Sequence, residues 1–306
     1  AQKQQARDNI GAPPPYEAGD NISITGRIIT TKAFPCNPKI LDNWYWGNPV
    51  NQRGQTSYTG AGYGIDRWRI DDSGGLSSLL VNSDGTITIS NGAAQNPIWF
   101  TQILEHIIPE TKTASALVTG ITGTANMYSG TTTGMSLSLN LNTMQSSEES
   151  NIGMRLVVFP NSSVTIKAVK LEPGPQQTLV HKEYGEWVLN EIPKYGDQLA
   201  ECQRYYYRIS GNQPLCTGYI YDAENAFAVI DLPSTMRVSP AITVSGSVAI
   251  RAAGGTLALA STVANYGFAG DKCQLRITSP GASMTPGSPC DIYMATDSSI
   301  TFSADL

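Results

Sequence analysis

Leu79-Leu80-Val81-Asn82-Ser83-Asp84-Gly85-Thr86-Ile87-Thr88-Ile89 decides the fold class. Two β-prone runs flank a turn whose Asp84-Gly85 pair suits the backbone of a tight hairpin. Thr86 and Thr88 alternate with Ile87 and Ile89, which gives that run one dry face and one wet face. The same period of two recurs in Ile22, Ile24 and Ile28, and again in Met135, Leu137, Leu139 and Leu141. Turn clusters separate the runs: Asp71-Asp72-Ser73-Gly74-Gly75, residues 120–134, and Pro160-Asn161-Ser162-Ser163. Short strands at this repeat distance, with no amphipathic helix between them, predict antiparallel sheets packed face to face.

Composition agrees. Of 306 residues only 15% are charged, while 29 are Gly, 18 Pro, 28 Ser and 28 Thr. The polar surface is therefore mostly hydroxyl and amide, and uncharged partners are the better expectation. A net charge of -5 removes the cationic field that nucleic-acid or anionic-membrane binding needs. No apolar run reaches the 18 or so residues of a membrane-spanning helix. Neither nucleic acid nor membrane insertion is expected. Ala1 stands where an initiator Met would, as in a processed product or a fragment. Cys36, Cys202, Cys216, Cys273 and Cys290 are odd in number and lack any Cys-x-x-Cys, so buried free thiols and folding in a reducing cytoplasm are expected.

Along the chain, residues 1–11 are good helix formers stopped by Gly11 and Pro13-Pro14-Pro15. Between Glu172 and Gly196 the alternation stops and Pro173, Pro175 and Pro193 intervene, as in a connector. Asp197 is placed to cap a short helix that puts Leu199, Cys202 and Tyr206 on one face, running into the strand-prone Tyr205-Tyr206-Tyr207. β-type runs return from about Thr217, among them Phe227 to Leu232. The expected fold is all-β: two β-sandwich, jelly-roll-like domains in tandem behind a short N-terminal helix. The expected divisions are 1–21 (helix and linker), 22–172 (sandwich), 173–196 (linker) and 197–306 (distal β domain).

Several segments together resemble bacteriophage tail-fibre proteins. Residues 1–12, Ala1-Gln2-Lys3-Gln4-Gln5-Ala6-Arg7-Asp8-Asn9-Ile10-Gly11-Ala12, resemble a linker that recurs there. Leu41-Asp42-Asn43, residues 48–54 and Tyr63-Gly64-Ile65-Asp66-Arg67-Trp68 resemble the first strands of a carbohydrate-binding-module-like jelly roll found in such fibres. Val169-Lys170-Leu171-Glu172-Pro173-Gly174 is similar to its last strand. Residues 201–206 and 232–240 are similar to the start of the module beyond it. This chain carries Trp44-Tyr45-Trp46 where family members more often have a single aromatic. The resemblance implies a homotrimeric receptor-binding protein joined to an upstream fibre or baseplate protein. It would sit on the virion tail fibre, or on a related contractile particle, assembled in the bacterial cytoplasm and exposed outside. Its partner would be a bacterial surface glycan or a surface protein.

Sugar recognition needs flat apolar faces for the C–H side of a pyranose and polar groups that replace water at its hydroxyls. Tyr219 and Tyr221 with Asp222 and Asn225, and Asn265, Tyr266 and Phe268 with Asp271, lie in loop-like stretches that offer both. Trp44 and Trp46 are also candidates, although alternation turns one or two of the Trp44-Tyr45-Trp46 triplet into the sandwich. In Ile65-Asp66-Arg67-Trp68-Arg69-Ile70 it sends Trp68 and Ile70 inward.

Catalysis finds less material. His106 and His181 lack metal-ligand spacing, and no spacing selects a carboxylate pair among Asp66, Asp71, Asp72, Glu105, Asp222, Glu224, Asp231 and Asp271. No cofactor and no metal are expected, and a calcium site near residues 66–72 or 82–84 is disfavoured. The leading expectation is a non-catalytic adhesive tip. A fibre-borne polysaccharide depolymerase (glycoside hydrolase or lyase) and a structural fibre connector are the alternatives.

Overall fold

The structure is a computed structural model describing residues 22–25, 28–31, 36–72, 77–92, 96–131, 134–252 and 257–306. The helix and linker expected over residues 1–21 lie outside these. Strands β1 (Ile22–Thr25) and β2 (Ile28–Thr31) pair as a hairpin. The first sandwich comprises β3 (Ser57–Thr59), β4 (Gly62–Tyr63), β5 (Arg69–Asp71), β6 (Ser77–Val81), β7 (Ile87–Asn91), β8 (Ile98–Ile103) and β9 (Lys112–Thr122). It continues with β10 (Ala125–Tyr128), β11 (Gly134–Ser136), β12 (Asn140–Ser146), β13 (Ile152–Val158) and β14 (Ser162–Pro173). These strands make a 6-stranded front sheet, β11-β10-β13-β8-β5-β4, and a 6-stranded back sheet, β12-β9-β14-β7-β6-β3. From β7 to β10 and from β12 to β14 the chain alternates between the two sheets, which is jelly-roll connectivity.

The hairpin read from residues 79–89 forms as expected between β6 and β7. Gly85 takes φ +84, and its N–H donates to Asn82 O at 2.9 Å. A Cβ at this position would stand 2.1 Å from the Gly47 carbonyl oxygen, so glycine is required by close approach as well as by dihedral. Inside, Trp46 and Trp68 meet edge to face at 5.1 Å, and Trp68 stacks on Phe100 at 5.1 Å.

Beyond β14 the structure corrects the expected linker. Residues 173–196 contain a hairpin, β15 (Val180–Glu183) with β16 (Glu186–Leu189), and Leu179 and Val180 belong to the first core. Lys170, wholly buried on β14, donates from Nζ to Thr178 Oγ1 at 3.1 Å and Glu191 Oε1 at 2.8 Å, tying both flanks of the hairpin down. Helix α1 (Tyr195–Gln203) starts before Asp197, which stands in its first turn and does not cap it. The helix buries Cys202, as expected, but with Gln198 in place of Leu199, which is half-buried, because Gln198 Oε1 accepts the Trp44 N–H at 3.2 Å.

The second sandwich follows with β17 (Tyr206–Ser210), β18 (Gln213–Ile220), β19 (Asn225–Asp231), β20 (Ala241–Ser245) and β21 (Val248–Ala252). It ends with β22 (Leu257–Leu259), β23 (Thr262–Ala269), β24 (Lys272–Thr278), β25 (Pro289–Met294) and β26 (Ser299–Ser303). A 3-stranded sheet, β17-β26-β20, packs on a 7-stranded sheet, β22-β21-β25-β18-β19-β24-β23. The chain is thus two tandem β-sandwiches. Jelly-roll connectivity belongs to the first; in the second, most successive strands stay within the larger sheet.

Arg53 joins the two. Its guanidinium reaches Asp66 Oδ1 at 2.6 Å in the first sandwich and Asp305 Oδ2 at 2.6 Å in the second, and lies 3.9 Å over the Tyr206 ring. Arg67, paired with Asp42 at 2.9 Å, lies 3.5 Å over Tyr205. Among the described residues no helix is long and apolar enough to cross a membrane. Cys202, Cys273 and Cys290 are buried free thiols, as expected, whereas Cys36 is exposed.

Candidate functional site

The outer face of the 7-stranded sheet carries the aromatic cluster. On β19, Ala226, Ala228 and Ile230 enter the core, which leaves Asn225, Phe227 and Val229 on the outside. The ladder sets Tyr219 of β18 opposite Phe227, and Phe227 opposite Arg276 of β24. A bulge between Asn265 and Gly267 in β23 brings Tyr266 onto the same ring. Phe227 is the hub: Tyr266 lies 4.7 Å from it, Tyr221 5.2 Å in edge-to-face contact and Tyr219 6.0 Å. The three tyrosines cover Phe227 and remain exposed themselves, at 47% for Tyr219, 61% for Tyr221 and 62% for Tyr266. Phenylalanine here is a buried support, and the tyrosines are the surface.

Polar groups hold this platform. Asp222 Oδ1 accepts the N–H groups of Glu224 at 2.9 Å and Asn225 at 2.8 Å, together with Asn225 Nδ2 at 2.8 Å. These bonds favour the charged form and hold the Asp222 carboxyl below its ordinary pKa. Asn225 Oδ1 accepts from Arg276 Nε at 3.1 Å and Thr278 Oγ1 at 2.8 Å. Asp222 and Asn225 therefore fix the turn that presents Tyr221. Two shallow depressions flank Thr217 and Gly218 on this sheet. One, about 160 Å³, lies among Tyr219, Phe227, Val229 and Gln274. The other, about 390 Å³, lies among Arg251, Pro289 and Asp291.

Of the residues singled out in the sequence, Tyr219, Tyr221, Asp222, Asn225 and Tyr266 converge here. Asn265 does not present its amide to the rings: Nδ2 donates to Ser239 Oγ at 2.9 Å and Pro240 O at 3.0 Å. Phe268 packs half-buried against the second core. Asp271 follows the turn beside the Asp231–Lys272 pair, at the far end of β19 from Asn225. Trp44 and Trp46 need correcting as ligand candidates. Both are essentially unexposed, at 1% and 0%, because residues 44–46 run beside β14 with Trp46 N–H on Lys167 O and Val169 N–H on Trp44 O. They have no free face for a sugar. Phe227, Arg276 and Gln274 were not singled out by the sequence; the only signal was the β-type run itself.

Most of the acidic residues considered for catalysis are engaged by local partners. Asp66 is buried against Arg53, Asp71 pairs with Arg69, Glu105 with Arg204, and Asp231 with Lys272. Asp72 Oδ2 accepts the Ser77 N–H, and Glu224 Oε1 accepts the Gly281 N–H. Among the described residues no three His, Cys, Asp or Glu side chains are grouped as a metal site would require.

No protein-family model matches the chain, and no curated protein matches it. Among solved structures, it is similar to the N-terminal CBM22-1-CBM22-2 tandem domain of Xyn10C from Paenibacillus barcinonensis. The identity is 9%, over 87% of this chain and 96% of that chain, with a TM-score of 0.23. At that score the sandwich assignment rests on the strand order and the two cores.

Proposed function

We propose that this chain is a non-catalytic attachment protein that binds a bacterial surface saccharide through the outer face of its second sandwich. The observation that carries the reading is the cluster of Tyr219, Tyr221 and Tyr266 over Phe227, beside hydrogen-bonding groups and two shallow depressions. Exposed rings on a rigid sheet offer stacking faces to pyranose rings, and a shallow trough admits a polymer without enclosing a scissile bond. The engagement of most acidic side chains by local partners favours binding over hydrolysis.

In the finer reading, the chain is the tip of a phage tail fibre, or of a related contractile particle's fibre, working as a homotrimer exposed outside the bacterial cell. The support is the set of tail-fibre-like segments at residues 1–12, 41–43, 48–54, 63–68, 169–174, 201–206 and 232–240. Threefold display would convert weak single-site contacts into firm attachment, since later contacts form at high effective concentration.

The test is binding of the labelled oligomer to target cells and to their isolated polysaccharide. The Tyr219→Ala/Tyr266→Ala double variant is expected to reduce single-site affinity about fivefold to 150-fold, given roughly 0.5–1.5 kcal/mol per stacked ring. Unchanged binding, or new reducing ends on the polysaccharide, overturns the reading. A stable monomer in light scattering removes the avidity.

A further inference from the structure

A second face with different chemistry lies on the front sheet of the first sandwich. Ile70, Phe100, Leu156 and Met127 of β5, β8, β13 and β10 point into the core, so their sequence neighbours point out. The ladder arranges these neighbours in two adjacent rows across the sheet. One runs Asp71, Trp99, Val157, Asn126; the other runs Arg69, Thr101, Arg155, Tyr128. Trp99 is 41% exposed, and the Arg155 guanidinium stands 5.3 Å from its ring centroid. At Gly134, opposite Tyr128, a Cβ would overlap the tyrosine ring at 2.2 Å, so glycine lets that ring lie across the sheet.

Three polar atoms on these rows are buried without a hydrogen-bond partner: Thr101 Oγ1, Asn126 Oδ1 and Arg155 Nε. Thr101 is only 3% exposed. Each unmet buried group costs on the order of 1–3 kcal/mol, and native proteins rarely gather several on one surface unless something else satisfies them. Charge says what. Arg69 Nε is paired with Asp71 at 2.9 Å, whereas Arg155 makes no ion pair among the described residues. The face therefore offers an exposed indole and a guanidinium without an ion pair, and an unmet hydroxyl and amide oxygen lie buried beneath them.

We propose that this front face is a second saccharide site, selective for sugars that carry a carboxylate, such as hexuronates and sialic acid. The pyranose stacks on Trp99 and its carboxylate meets Arg155; a shift of the side chains covering Thr101 Oγ1 and Asn126 Oδ1 then lets its hydroxyls satisfy these two atoms. The lone cation and the flanking hydroxyl-type partners suit an acidic sugar better than a polyanion such as nucleic acid. The site uses none of the residues of the aromatic cluster on the second sandwich, so the two stand or fall separately.

The test is calorimetric titration of the full chain with trigalacturonate, glucuronic acid and sialyllactose, with lactose as the uncharged control and inorganic phosphate as a bare anion. At least one acidic sugar is expected to bind tenfold or more tightly than lactose. Arg155→Gln and Trp99→Ala should each weaken it about tenfold or more, while Arg155→Lys keeps part of the binding. Circular dichroism confirms that each variant is folded. Tyr219→Ala/Tyr266→Ala should leave this binding unchanged. The proposal is overturned by equal binding of lactose, by phosphate binding as tight as the sugars, by indifference to Arg155→Gln, or by no binding of any acidic sugar.

Discussion

Asn43 organises the aromatic centre of the first sandwich from a backbone position few residues accept. It is fully buried at φ 48, a left-handed conformation that asparagine tolerates better than most. Its side-chain amide donates to Val50 O at 2.9 Å and Asp66 O at 2.8 Å, and its Oδ1 accepts the Val50 N–H at 2.8 Å. Its carbonyl receives both the Trp46 and the Trp68 indole N–H, at 2.9 and 3.1 Å. Asn43→Ala removes three buried hydrogen bonds and adds backbone strain, so unfolding in urea should show a loss of about 2–4 kcal/mol. Alternation in the sequence already turned one or two residues of Trp44-Tyr45-Trp46 inward. What it could not reveal is that both tryptophans go in, because a strand residue keeps the same period whether core or ligand faces it.

The connecting elements were the least legible, and the reason is physical. Periodicity detects apolar faces, but α1 is anchored by a glutamine. Gln198 is 1% exposed, and its Oε1 bonds the Trp44 N–H on the neighbouring sandwich. Gln198→Leu keeps the volume but strands that N–H, so a loss of about 1–3 kcal/mol in denaturant unfolding is expected, with no change in helix content by circular dichroism. The β15–β16 hairpin was hidden by the flanking prolines, which sit outside its paired residues. On β19 both faces are apolar, so the period of two announced a strand without saying that Phe227 would face outward. Only the small inward residues Ala226 and Ala228 hinted at which side was packed tightly.

At the scale of the molecule, the two cores follow from local patterning, but their union does not, since Arg53 and Asp305 stand 252 residues apart. The junction also makes a pH prediction. Burial is the largest influence on Asp66 and outweighs the attraction of Arg53 and the hydrogen bonds from Gln52, while Asp305 adds a like charge. The carboxyl is pushed up from 3.8 to about 6. Asp305 moves in the same direction, again chiefly through burial. Between these two pH values the folded protein holds a proton that the unfolded chain has released. The resulting stabilisation is complete below pH 3.8 and is lost as pH rises through about 6. Integrated from about pH 7 down to pH 5, Asp66 alone should add roughly 1 kcal/mol. Urea titrations at both pH values should therefore show the wild type gaining stability on acidification relative to Asp66→Asn, which lacks this titration. Arg53→Met serves as the companion: it leaves two buried carboxylates without their cation, so it should cost about 3–5 kcal/mol at neutral pH and recover part of that loss in acid. If the wild type and Asp66→Asn had the same pH slope, the Arg53 junction would be a static pin and not a titrating one.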